Sequence, residues 1–117
     1  MILSAIPIFA ALTLYVSATV KIYHIESPDG RYKFKNANEA AEGCRNRGLI
    51  IAQWNELELA WEAGYDVCVC GWVREFRAFL PVVKPRAQCA DEAGLHECPN
   101  PSVWGNEGWN AFCVEGE

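Results

Sequence analysis

Hydrophobic and polar positions divide the chain into three stretches. Ile2 to Val16 is an almost unbroken apolar run, and no charged side chain occurs before Lys21. From Ile22 to Gly64 the pattern becomes periodic. Ile22-Tyr23-His24-Ile25 has strand composition, and Ser27-Pro28-Asp29-Gly30 spells a turn in which glycine supplies the positive φ. Arg31-Tyr32-Lys33-Phe34-Lys35 alternates basic and aromatic residues as a half-exposed strand does. Asn36 then suits a helix N-cap, with Glu39 three residues on as in a capping box. Ala37, Ala40, Ala41 and Cys44 share one face of that helix, and Gly48 ends it. Leu49 to Ala52 reads as a short buried strand. A second helix is expected from about Asn55 to Ala63, with Leu57, Ala60 and Trp61 inward, stopping at Gly64. The third stretch changes to strands and loops. Val67–Val73, Arg77–Val83 and Asn110–Val114 are strand candidates, and the Pro-, Gly- and Asn-rich segment Ala87–Gly108 reads as an irregular loop. Two helices followed by a small loop-rich sheet make an α+β domain.

The opening run has the features of a secretory signal peptide. Val16 and Ala18 stand at the −3 and −1 positions of a cleavage site, giving a leader over 1–18 and a single domain over 19–117. The competing reading is a retained anchor, because about 20 apolar residues can span a bilayer. Export agrees with the cysteines. Cys44, Cys68, Cys70, Cys89, Cys98 and Cys113 all follow the leader, and an even count in a short exported chain points to three disulfides. Zinc is the rival use of Cys98 with His96, but no Cys-x2-Cys spacing is present.

Charge narrows the partners. The net charge is −5, yet all ten Lys and Arg lie between Lys21 and Arg86, whereas Asp91, Glu92, Glu97, Glu107, Glu115 and Glu117 follow them. A polyanion is therefore expected on the first two-thirds of the domain, and nucleic acid is a poor partner. His24 and His96 are the only histidines, and no nucleophile–base arrangement accompanies them. A non-enzymatic protein without cofactor or metal is expected.

Several segments together resemble the Link module, the hyaluronan-binding relative of the C-type lectin fold. They are Ile22-Tyr23-His24-Ile25, Gly30-Arg31-Tyr32, the helix from Glu39 to Cys44, and Ala52-Gln53-Trp54-Asn55-Glu56-Leu57. The likeness continues through Ala60-Trp61-Glu62-Ala63-Gly64, Cys68-Val69-Cys70-Gly71-Trp72-Val73, Pro81 to Arg86, Cys89, and Trp109-Asn110-Ala111-Phe112-Cys113. The resemblance implies two helices packed on small antiparallel sheets, with the pairs Cys44–Cys113 and Cys68–Cys89. Cys70 and Cys98 are additional to the family's usual four cysteines; they are left to bridge each other, or to remain free or intermolecular thiols.

The resemblance also implies a metal-free grip on a polyanionic sugar, by ring stacking and by pairing Lys or Arg with carboxylates. Arg31-Tyr32-Lys33 matches the family's basic–Tyr–basic element, and Arg74, Arg77 and Lys84 are candidates to extend the patch. The chain departs from the usual pattern in three places. Leu80 precedes Pro81 where many members carry Tyr, Val69-Cys70 follows Cys68, and Glu97 to Ser102 contains neither an aromatic residue nor a base. The calcium-binding elements of C-type lectins are also unmatched, with Cys98-Pro99-Asn100 and Trp109-Asn110-Ala111 in their places. Trp104 stands out as the tryptophan expected outside the core. Two functions follow as expectations. One is an extracellular hyaluronan- or glycosaminoglycan-binding module in matrix organisation or cell adhesion; the other is a Link-like domain that binds a protein through its acidic C-terminal loop.

Overall fold

The computed structural model describes residues 20–116, so the leader expected over 1–18 lies outside the described residues. Strand β1 (Tyr23–Ile25) leads to helix α1 (Ala37–Asn46), strand β2 (Leu49–Ile51) and helix α2 (Trp54–Glu62). Strands β3 (Gly71–Val73), β4 (Arg77–Val82) and β5 (Gly94–Cys98) follow, then a 3-10 turn (Pro101–Trp104) and strand β6 (Asn110–Glu115). No helix among the described residues is long and apolar enough to cross a membrane.

The helices begin where local chemistry favours them. The Asn36 side chain accepts the Glu39 N–H, while the Glu39 carboxylate reaches one residue further back, to the Lys35 N–H. At α2 the Glu56 carboxylate accepts the Gln53 N–H at 2.8 Å, so this helix starts at Trp54, one residue before the expected position.

The strands form one mixed six-stranded sheet, in place of the expected small antiparallel sheets. Its order is β1-β6-β3-β4-β5, with β2 also on β6. Ala111 of β6 faces both Ile25 of β1 and Trp72 of β3, so these two strands flank opposite edges of β6. The β3–β6 pair is parallel and the others are antiparallel. Because side chains alternate along β6, the two helices pack on opposite faces. Ala111 and Cys113 join Ile25, Phe34, Ala40 and Cys44 beneath α1. Phe112 and Val114 join Val73, Phe79, Leu57 and Ala60 beneath α2. A third cluster of Cys70, Ala78, Cys98 and Trp109, with Tyr32, Trp72 and Leu80 against it, fills the β3-β4-β5 end.

Four strand expectations are corrected. Arg31–Lys35 is not a strand: it turns at Tyr32 (φ 59°) and makes one bridge, Phe34 to Trp109. Leu49–Ile51 is not fully buried, since Ile50 is exposed on a strand paired only at β6. The segment Ala87–Gly108 contains strand β5, which meets β4 over five rungs from Ala78–Cys98 to Val82–Gly94. Conversely, 67–70 lie outside any strand, with a bend at Cys68 and Val69, and β3 begins only at Gly71.

Disulfides join Cys44 to Cys113, Cys68 to Cys89 and Cys70 to Cys98. The third bridge fastens the chain before β3 to the end of β5, and it sits buried in the third cluster. With Cys98 in that bridge, the zinc alternative loses its thiolate.

Candidate functional site

The site grows out of one buried amide. Asn110, at the start of β6, has no solvent exposure, and burying its side chain demands hydrogen-bond partners. Its Oδ1 accepts the Tyr32 N–H at 2.8 Å, and its amide nitrogen lies 2.6 Å from His24 Nε2. Since Oδ1 is taken by Tyr32, the amide nitrogen donates to His24, which is therefore neutral with its proton on Nδ1. Burial lowers the His24 pKa; Glu26 pulls the other way and Arg31 adds to the lowering.

That bond holds Tyr32 in a left-handed conformation that residues with a side chain rarely adopt. Two further contacts secure its ring. The hydroxyl accepts the Cys70 N–H at 3.1 Å, and the ring packs edge-on against Trp109, with centroids 4.9 Å apart. The Arg31 guanidinium then lies 4.7 Å from the Tyr32 centroid, a cation–π arrangement on the exposed side. Trp109 is fully buried, its Nε1 donating to the Pro99 carbonyl. Its ring also meets Trp104 at 5.8 Å. Trp104 is 58% exposed and the neighbouring Val103 66%.

The other basic candidates are placed differently. Lys33 Nζ is bound to Glu107 at 2.8 Å, and Arg77 is held by both carboxylate oxygens of Glu97 at 3.0 and 2.8 Å. The hydrogen bond from Lys33 holds Glu107 below its usual pKa, and that from Arg77 does the same for Glu97. Arg74 and Arg77 lie at the tip of the β3–β4 hairpin, and Lys84 beyond the other end of β4, where its N–H bonds Asp66. Along an extended chain Arg77 and Lys84 are about 23 Å apart. The six residues therefore do not form one patch. Arg31 and Tyr32 are together, Lys33 is beside them but paired, Arg74 and Arg77 are at one end, and Lys84 is at the other. Among the described residues, Arg31, Arg74 and Lys84 have no carboxylate within 4.0 Å.

A groove of about 500 Å³ opens beside the hairpin tip, lined by Trp72, Phe76, Arg77, Glu97, Pro99 and Asn100 among others. No cluster of three His, Cys, Asp or Glu side chains that could hold a metal ion occurs among the described residues. Sequence reasoning missed Asn110 as the anchor of Tyr32, and Glu97 and Glu107 as partners of Arg77 and Lys33. Only a polar Asn inside an apolar strand hinted at the first. The ion pairs join residues 20 and 74 positions apart and leave no local signal.

Comparison with known proteins agrees with this construction. A family model described as "Extracellular link domain" matches residues 21–114. Stabilin-2 of Mus musculus is 30% identical over 99 residues, covering 85% of this chain and 4% of the relative. The tumor necrosis factor-inducible gene 6 protein of Homo sapiens is 30% identical over 102 residues, covering 86% of this chain and 36% of the relative. The chain thus spans well under two-thirds of the length of these relatives. The match over nearly all the described residues identifies the chain as a member of the extracellular link domain family.

Proposed function

We propose that this chain is an extracellular, non-enzymatic module that binds hyaluronan or a related glycosaminoglycan, in matrix organisation or cell adhesion. The leader over 1–18 would be removed on secretion, leaving the domain over 19–117. The observation that carries the reading is the Arg31–Tyr32 element: an exposed guanidinium stacked on a ring that a buried amide, a backbone N–H and a tryptophan hold in place. A preset cation beside an aromatic face suits a sugar chain bearing carboxylates, because little side-chain freedom is lost on binding. Hyaluronan capture by the secreted protein tests it. Arg31→Ala should weaken capture about tenfold or more, the loss of one charge-assisted contact. Failure of the wild-type protein to capture hyaluronan even at low salt would overturn the reading.

A second reading, a basic protein partner on the acidic C-terminal loop, is favoured by the exposure of Asp91 and Glu92. Neither forms an ion pair among the described residues, whereas Glu97 and Glu107 already have cations. Neutralising Asp91 and Glu92 together should then abolish capture of that partner; unaltered capture would eliminate it.

A further inference from the structure

The candidate cations and rings are not equally available to a ligand. Lys33 and Arg77 are each closed by a carboxylate of the same chain, leaving Arg31 as the unpaired cation beside Tyr32 among the described residues. Of the rings, Tyr32 is half-buried with Arg31 over it, and Trp104 is exposed. Tyr32 and Trp104 both set themselves against the buried Trp109, at 4.9 and 5.8 Å, so their centroids are within about 11 Å of each other. Trp104 is also firmly presented. Asn100 Oδ1 accepts from the N–H and hydroxyl of Ser102, the Asn106 N–H bonds the Pro101 carbonyl, and Gly105 turns the chain at φ 75°. The Cys70–Cys98 bridge and the Trp109–Pro99 bond fasten this turn to the wall that carries Tyr32. A large exposed aromatic on a braced turn offers a flat apolar face at low ordering cost.

We infer that Trp104 is a ligand-binding ring, and that the face it shares with Arg31 and Tyr32 takes a sparsely charged pyranose chain rather than a polysulfated one. The inference rests on the glycan reading above and specifies its ligand class. Ring stacking holds the sugar faces and Arg31 supplies one ionic contact. A polysulfated chain would meet Glu107 already seated on Lys33, and at the hairpin tip Glu97 already seated on Arg77.

The test compares hyaluronan oligosaccharides, heparin oligosaccharides and chitohexaose by calorimetry on the secreted protein. On the slope for duplex DNA, one contact changes affinity about 3.5-fold between 50 and 200 mM salt and three about fortyfold, which are upper values for the sparser charge of hyaluronan. The expected result is a hyaluronan affinity that shifts less than fivefold over that range, with heparin no tighter and chitohexaose within about tenfold. Trp104→Ala should lower hyaluronan affinity about fivefold to tenfold and Trp104→Phe should restore most of it; Trp104→Ala also loses the edge contact with Trp109, so the free protein should melt roughly a few degrees lower yet remain folded at the assay temperature. Tighter heparin binding, a salt response near fortyfold, or an unchanged Trp104→Ala affinity would each overturn the inference while leaving glycan binding intact. Absence of binding to all three chains would overturn the glycan reading itself.

Discussion

Removing the Cys70–Cys98 bridge as Cys70→Ala/Cys98→Ala is a direct probe of what holds the candidate site together. The bridge spans 28 residues, which in the chain-entropy treatment corresponds to about 3.6 kcal/mol. That figure ignores the neighbouring bridge. With Cys68 joined to Cys89, the shortest covalent path from Cys70 to Cys98 runs back to Cys68, across, and on from Cys89. The loop actually closed is therefore about 12 residues, and the expected stabilisation falls to about 2.8 kcal/mol. For a domain of this size that is roughly 11–22 °C in melting temperature, and truncating two buried sulfurs adds to it. For Cys44–Cys113 the shortest remaining path crosses Cys70–Cys98 and contains about 41 residues, giving about 3.9 kcal/mol. Urea unfolding followed by tryptophan fluorescence, without reductant, measures both double variants. Loss of Cys44–Cys113 should cost more. A loss below about 1.5 kcal/mol for Cys70–Cys98 would refute the reasoning. It would mean that the unfolded chain already keeps the two cysteines near each other, so that the bridge removes little of its freedom.

Other perturbations test the anchor and the charges. His24 has a lowered pKa in the folded state, so the unfolded chain takes up a proton near pH 6.5 before the native one does. Its contribution to stability is present above that pH and is lost as pH falls towards the folded pKa; thermal melts from pH 7.5 to 5.5 should show a decline that His24→Gln flattens, and superimposable profiles would rule this out. Asn110→Ala strands the Tyr32 N–H, so chemical denaturation should report a loss of about 1–3 kcal/mol with a parallel fall in hyaluronan capture. Glu97→Gln breaks an exposed pair and should cost less than about 1 kcal/mol. It also releases Arg77, so heparin retention on a column should rise; unchanged retention would show that Arg77 was already accessible to the ligand. Gly71→Val should destabilise by about 1–3 kcal/mol in the same denaturation assay, because even a Cβ at Gly71 would meet the buried Phe112 ring.

The parts of the fold legible in the sequence are those with local causes. Asn36 and Gly48 bracket α1 because a cap and a left-handed glycine act within a turn of the helix. Strand β5 escaped because its cause is distant. Gly94 to Cys98 lies in a glycine- and proline-rich stretch and becomes a strand by pairing with β4, itself one of the clearer strand candidates. The 31–35 segment misled in the opposite direction. Its alternation is that of a strand, but the buried Asn110 amide claims the Tyr32 N–H and bends the backbone there.

The same distinction separates the ligand-facing residues from the charge pattern. Read linearly, Arg31, Lys33 and Arg77 are equivalent cations in the basic two-thirds of the chain, and the acidic tail merely repels. Folding carries the tail back over that region. Glu107 meets Lys33, Glu97 meets Arg77, and Arg31 is left stacked on Tyr32. The bridge and the Asn100-capped turn bring Trp104 to the same cluster. Binding on this face should consequently respond more to the loss of a ring than to the loss of Lys33 or Arg77, the reverse of what a count of charges along the sequence suggests.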